Sequence, residues 1–188
     1  MRWQMLDDID KVKMYWARTE QHGATFEALK EIGYFDAPAS KGHHLAVAGG
    51  LVKHSIRVTE ILLETHAVSE VSAYRIGMYH DLVKCLCYKA VGDGKYEYTQ
   101  PPYPGHGVAS AMIAADIGIR LEPIERAAIV WHMGAFGLDE RQMAEYKAAL
   151  RKWPVPIIFT HAADHLASIF EETSECGGCD KPGIEVAR

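Results

Sequence analysis

Six side chains able to hold a metal, His54, His80, Asp81, His106, His132 and Asp164, recur through this 188-residue chain at nearly even intervals. From His54 to His80 is 26 residues, from Asp81 to His106 is 25, from His106 to His132 is 26, and from His132 to Asp164 is 32. A helix with its connection to the next takes about that length or somewhat less, given helices of roughly 10 to 14 residues and short links. The spacing therefore favours a bundle in which each long helix, or every second one, brings one ligand or one pair to a shared centre, because bundle interiors are where such sites are built. One adjacent His-Asp pair is common by chance; the series carries the weight. Imidazole and carboxylate together suit divalent ions such as Mn, Fe, Zn or Ni, and a carboxylate can bridge two ions where an imidazole cannot. No sequence repeat accompanies the spacing, which argues against a solenoid.

Between the ligands the chain reads as helix, with one exception. Two helices open it, one from about Leu6 to Glu20 and one capped by Thr25, running from Phe26 through Ile32 to a stop at Gly33. Past Pro38 and Gly42, the residues Leu51, His54, Val58, Ile61, Leu62 and His66 recur at three- and four-residue steps, so His54 falls on the inward face of a helix. Ser69 or Ser72 caps the next, which holds Tyr74, Met78, His80, Asp81 and Cys85. From Tyr88 to Thr99 the pattern becomes alternating around Gly92-Asp93-Gly94, as in a β-hairpin inserted between ligand-bearing helices. Gln100-Pro-Pro-Tyr103-Pro-Gly105 then delivers His106 to a helix start, where the helix N-terminus favours anionic ligands. Helices near Glu122 to Met133, Asp139 to Trp153 and Val155 to Glu172 complete an all-α bundle with a small hairpin near 88–99.

At this level the motifs resemble a known family. His43-His44-Leu-Ala-Val-Ala-Gly49-Gly50-Leu-Val-Lys-His54-Ser, then His80-Asp81-Leu-Val-Lys84, Gly105-His106-Gly, Trp131-His132-Met-Gly and Ala163-Asp164-His165 look like the HD-domain superfamily of metal-dependent phosphohydrolases. Within it the likeness is greatest to the HD domain of bacterial 3′–5′ exoribonucleases, and it spans roughly Gly42 to Ser168. The resemblance implies an HD-type bundle in which His54, His80, Asp81 and Asp164 hold one metal. His106 and His132 resemble the ligands of a second metal, with Asp81 bridging, which separates this chain from the single-metal nucleotidase branch. Val83 stands where the family often has Gly before its Lys, and Trp131-His132 replaces a frequent His-His. Neither departure removes a ligand; both bear on substrate choice.

The length, with 48% hydrophobic and 10% aromatic residues, fits one globular domain over residues 1–173, and 174–188 reads as a flexible tail. A net charge of −5 lacks the basic face of a nucleic-acid binder, so the expected partner is a small phosphorylated substrate, a nucleotide by the resemblance, rather than a long nucleic acid. No apolar run reaches signal length at the N-terminus or the roughly 18 residues of a membrane helix, so a cytoplasmic protein with no membrane partner is expected. The cysteines form two close pairs, Cys85-x-Cys87 and Cys176-Gly-Gly-Cys179. A four-cysteine zinc site is one reading. The favoured reading packs Cys85 and Cys87 beside the His-Asp pair and leaves Cys176 and Cys179 in the tail, where redox pairing is a third option.

Hydrolysing a phosphate ester requires a nucleophile at neutral pH and neutralisation of charge on the phosphoryl oxygens. A metal lowers the pKa of its bound water from about 15.7 towards roughly 7, and a second ion clamps the reacting oxygens. The function the resemblance implies is a phosphatase or phosphodiesterase acting on a nucleotide or short oligonucleotide through a metal-bound hydroxide, with two divalent ions drawn from Mn, Fe, Zn, Ni or Mg. An HD-fold di-iron oxygenase and a catalytically weak nucleotide-sensing module are the alternatives. Asp81 and Lys84 are the candidate catalytic residues, since Lys84 shares a helical face with His80 and Asp81; the competing role for Lys84 is a surface ion pair. Arg57, one turn after His54, either binds substrate or forms a salt bridge, and His43 and His44 either contact substrate or are plain loop histidines. His161, one turn before Asp164, suits an outer hydrogen bond better than ligation. Lys89, Lys95 and Tyr98 of the hairpin, and Tyr79, Tyr103 and Trp131 beside the ligands, are weaker candidates for substrate contact than for surface or packing roles.

Overall fold

Buried Leu51, Val52, Ile56, Val58 and Leu62 stand at helical spacing on α3 (Gly50–Thr65), and His54, Ser55 and Thr59 are buried among them. A helix with that much of its surface covered belongs at the centre of a bundle. In the computed structural model, which describes residues 8–92 and 94–175, α3 is flanked by α4 (Glu70–Tyr79) on one side and by the long α9 (Pro154–Glu175) on another. Before them come α1 (Asp8–Arg18) and α2 (Gly23–Glu31). Between α4 and α9 lie the single turn α5 (Lys84–Cys87), strands β1 (Tyr88–Gly92) and β2 (Lys95–Tyr98), and helices α6 (His106–Asp116), α7 (Pro123–Val130) and α8 (Glu140–Lys152). The all-α architecture with one small hairpin is as the sequence pattern indicates. Among the described residues, no helix is long and apolar enough to cross a membrane.

Two glycines set the closest approaches. A Cβ on Gly77 of α4 would overlap Thr59 of α3, and one on Gly107 of α6 would collide with the carbonyls of Ile129 and Val130 on α7. A buried polar tie joins α4 to α7, where Glu125 accepts from Ser72 Oγ at 2.9 Å and pairs with Arg75 at 3.3 Å. Glu125 also closes the α7 capping box with Glu122, with Pro123 in the first turn.

Several boundaries differ from the sequence pattern, each for a local reason. Leu6, the expected start of the first helix, lies outside the described residues, and α1 ends at Arg18. His22, not Thr25, occupies the N-cap of α2; the Thr25 hydroxyl is inside the first turn, donating to the His22 carbonyl at 2.7 Å and accepting from Trp16 Nε1 at 3.2 Å. Ser69 is the α4 cap, accepting from the Ser72 amide at 3.2 Å. The helix expected to run through Cys85 stops at Tyr79. The Gly77 carbonyl, which a continuing helix would offer to the Asp81 amide, receives His80 Nδ1–H at 2.9 Å, and the Val83 amide donates to Ser110 Oγ at 3.2 Å. The chain then tightens into i→i+3 bonds from Lys84 to the Asp81 carbonyl and from Cys85 to that of Leu82.

The hairpin is antiparallel, with Tyr88 opposite Tyr98, Lys89 opposite Glu97, and an irregular register between Ala90 and Gly92. Lys89, Lys95 and Tyr98 are exposed on it.

Candidate metal centre

Every ligand predicted from the spacing reaches one buried centre. His54 points in from the second turn of α3, His80 and Asp81 from the tight turn after α4, His106 from the first residue of α6, His132 from just past α7, and Asp164 from the middle of α9. They form two groups that share Asp81. His54, His80, Asp81 and Asp164 make one and Asp81, His106 and His132 the other, with the ligand atoms of each within 4.8 Å of one another. Asp81 Oδ2 lies 3.6 Å from His54 Nε2 and 3.4 Å from His80 Nε2, while Oδ1 lies 2.6 Å from His106 Nε2 and 3.5 Å from His132 Nε2. Asp164 Oδ1 is 3.0 Å from His54 Nε2 and 3.9 Å from His80 Nε2.

Hydrogen bonding on the far side of each ring decides which nitrogen faces the centre. His80 Nδ1–H donates to the Gly77 carbonyl at 2.9 Å, and His132 Nδ1–H donates to the Ile129 carbonyl at 2.6 Å. Each ring therefore bonds the carbonyl three residues before it, and its Nε2 is left with a lone pair turned inward. Both Nε2 atoms are buried and have no hydrogen-bond partner. An unsatisfied buried polar atom costs on the order of 1–3 kcal/mol, a cost that ligation removes. His54 is held differently: its Nδ1 bonds the buried Glu171 carboxylate at 3.0 Å, the carboxylate–histidine arrangement that orients metal-ligating rings. Donor types, orphaned nitrogens and outer bonds all fit a metal, and these buried His/Asp clusters can hold one.

Charge at the centre is balanced by proximity. Burial alone would raise the Asp81 pKa, but Lys84, with Nζ 2.6 Å from Oδ2, together with His80 and His106 holds it well below the usual carboxylate range. The same pair works in reverse on Lys84, where burial favours the neutral amine but Asp81 and then Asp164 keep the ammonium, raising its pKa. Burial also opposes a charge on His54, yet hydrogen bonds to Asp164 and Glu171 outweigh it and lift that pKa to about 9. Asp164 is lowered, against its burial, by the His54 bond and the nearby His80. On His132 the Asp81 carboxylate overcomes burial and raises the pKa, whereas on His80 burial wins and lowers it.

The other candidates divide. Half-buried His44 stands beside the first group, its ring 5.3 Å from that of His54 and its Nε2 3.4 Å from Ser168 Oγ. His43 is exposed, its backbone amide bonded to Ser40 Oγ. Arg57 is not brought to the cluster: its side chain is 52% exposed and lies 3.8 Å from Glu60, because it falls on the strip of α3 that carries exposed Lys53 and Glu64, beside the buried strip of His54 and Val58. His161 stays out of both groups, bonding the His132 carbonyl at 2.7 Å and stacking on His165. Tyr79 is wholly buried with its hydroxyl on Thr19, Tyr103 bonds Asp116, and Trp131 packs on Tyr146, so all three are packing residues. Cys85 and Cys87 are free thiols; burial pushes Cys87 up to about 11 and Cys85 higher still, which leaves neither poised as a nucleophile. Cys176 and Cys179 lie outside the described residues, and the four-cysteine zinc reading with them. Glu171 escaped the sequence pattern. Its one signal was a position two helical turns after Asp164 on the same face, a spacing that solvated carboxylates also show. Comparisons with known protein families, with curated proteins and with solved structures find no match to this chain.

Proposed function

We propose that the chain is an HD-type metal-dependent phosphohydrolase that takes two divalent ions and cleaves a phosphomonoester or phosphodiester of a nucleotide or short oligonucleotide. The observation that carries this reading is the division of Asp81, one buried carboxylate whose Oδ2 faces His54 and His80 and whose Oδ1 faces His106 and His132. His54, His80, Asp81 and Asp164 would hold one ion, and Asp81, His106 and His132 the other. Ions held there supply a nucleophile from water at neutral pH and offset the negative charge that develops on the phosphoryl oxygens. An all-nitrogen-and-oxygen donor set suits Mn, Fe, Zn, Ni or Mg better than thiophilic ions.

The chain's own residues supply the rest. Lys84 is a cation fixed at Asp81, the carboxylate the two groups share, where it would bind a phosphoryl oxygen without reorganising during the reaction. His44, steadied by Ser168 beside His54, orients the substrate at the edge of the centre. His106 and Asp164, at 30% and 17% side-chain exposure, are the ligands that solvent reaches, so the ester approaches from their side.

The test is metal content and turnover measured together. Metal-depleted protein reloaded with Mn(II) or Fe(II) should carry about two ions and release phosphate or nucleoside from a panel of nucleotides and dinucleotides. His106→Ala and His132→Ala should each lower the content to about one. Lys84→Ala should keep the metal while turnover falls roughly 10²-fold. One ion in the intact protein overturns the two-metal reading, and a loaded protein that cleaves no ester but shows a mixed-valent di-iron signal in air turns it towards oxygenase chemistry.

A further inference from the structure

We infer that the outer face of α9 is a self-association surface, on which a second copy of the chain packs antiparallel about a twofold axis at Ala162. The helix is apolar on two opposite sides. Ile157, Thr160, Ala163, Ala167 and Glu171 are buried, and the helix packs on α3 and α7 and, less extensively, on α8. On the side opposite Asp164, Val155, Ile158, Phe159, Leu166 and Ile169 are each 39 to 50% exposed, with exposed Ala162 among them. At helical pitch these six project within a stripe roughly 100° wide and about 21 Å long. The solvent side of a helix ordinarily carries charge, and this stripe carries none: Asp164 and Glu171 turn inward.

The spacing of the stripe suits a copy of itself. Along the middle of the stripe Val155, Ile158, Ala162, Leu166 and Ile169 follow one another by steps of 3, 4, 4 and 3, which read the same from either end, while Phe159 at its edge has exposed His165 at the mirror position. An isologous contact needs this property, since residue i must meet j where j meets i. About an axis at Ala162, Ile158 meets Leu166 of the second copy, Val155 meets Ile169, and the two Ala162 methyls meet at the crossing, where small side chains let the helices approach. An anionic membrane surface is poorly served, because α9 contains no Lys or Arg to contact it.

The area is also of the right order. Side chains of this size expose on the order of 200 Å² when fully open, so five at this exposure present roughly 400 Å². A standard interface buries roughly 800 Å² per partner, a little over half of it apolar. The stripe thus provides most of the apolar centre, and its flanks provide the rim.

Sedimentation equilibrium on the full chain tests this. The expected species is twice the chain mass, with Leu166→Glu weakening association at least 10²-fold while the helical circular dichroism is retained. Adding Ile158→Lys to Leu166→Glu should restore it, because those positions face each other across the axis. Under mild oxidation Ala162→Cys should cross-link two chains faster than Val155→Cys, against the background of the unaltered chain, since only position 162 meets its own copy. A monomer at every concentration, a dimer indifferent to Leu166→Glu, or equal cross-linking at 155 and 162 overturns the inference.

Discussion

His54 lies between two carboxylates, Asp164 at 3.0 Å from Nε2 and Glu171 at 3.0 Å from Nδ1, and without an ion both favour the protonated ring. Its pKa rises from 6.5 to about 9, burial being outweighed by those two bonds. A folded-state pKa above the unfolded one stabilises the fold fully below the unfolded value, and that stability is lost as pH climbs through the folded value. The window here runs from about 6.5 to about 9, and a shift of that size corresponds to roughly 3 kcal/mol. The metal-free protein should therefore melt at progressively lower temperature across that range, and His54→Gln should flatten the slope. Metal-loaded protein should lack this component, since ligation requires the ring to be neutral. Melting curves at pH 6.5, 7.5 and 9 decide it; a metal-free profile indistinguishable from that of His54→Gln shows the proton is absent. The clustered side chains themselves were legible in sequence because imidazole and carboxylate in an even series are chemically conspicuous. Glu171 was not, because its role exists only once α9 is laid against α3.

At the scale of elements, both orphaned imidazoles sit just beyond a helix end, and each turns back to bond the carbonyl three residues earlier. Period-3.6 reading extends the helix past His80 because the side chains stay apolar through Leu82 and Val83; only the competing bonds from the His80 ring and from Ser110 end it. The hairpin was legible for the opposite reason, its alternation and Gly-rich turn being local. Gly107 couples packing to the centre. A Cβ there falls within 2.5 Å of the Ile129 carbonyl oxygen and closer still to that of Val130, so backbone must shift. The Ile129 carbonyl is the one that aims His132. Gly107→Ala is thus expected to weaken metal binding at the Asp81–His106–His132 group by about 10- to 100-fold, as loss of an orienting bond does, and to spare the His54–His80–Asp164 side. Competition titration with Mn(II) separates the two affinities, and an equal loss at both would show a general disturbance instead.

For the molecule as a whole, a net charge of −5 limits what it can grip. Affinity for long nucleic acid comes largely from cations replacing condensed counterions, in proportion to the phosphates contacted. Lys84 is buried at the centre, Arg57 lies beside Glu60, and the hairpin lysines stand apart on an exposed ribbon. Mononucleotides or very short oligonucleotides should accordingly show higher kcat/KM than a long strand with the same terminal residue, at low and at high salt. A preference for the long strand that fades steeply with salt would contradict this. The bonds from His54 to Asp164 and to Glu171 join positions 110 and 117 residues apart, and both acids reside on α9, the last of the described helices. Closing so long a loop adds little entropy beyond a loop half its size, about 0.6 kcal/mol per doubling, so length is no obstacle once α9 is present. It does impose a timetable: a nascent polypeptide emerging from the ribosome displays His54, His80 and Asp81 long before Asp164, and every chain that stops short of Asp164 lacks the full cluster.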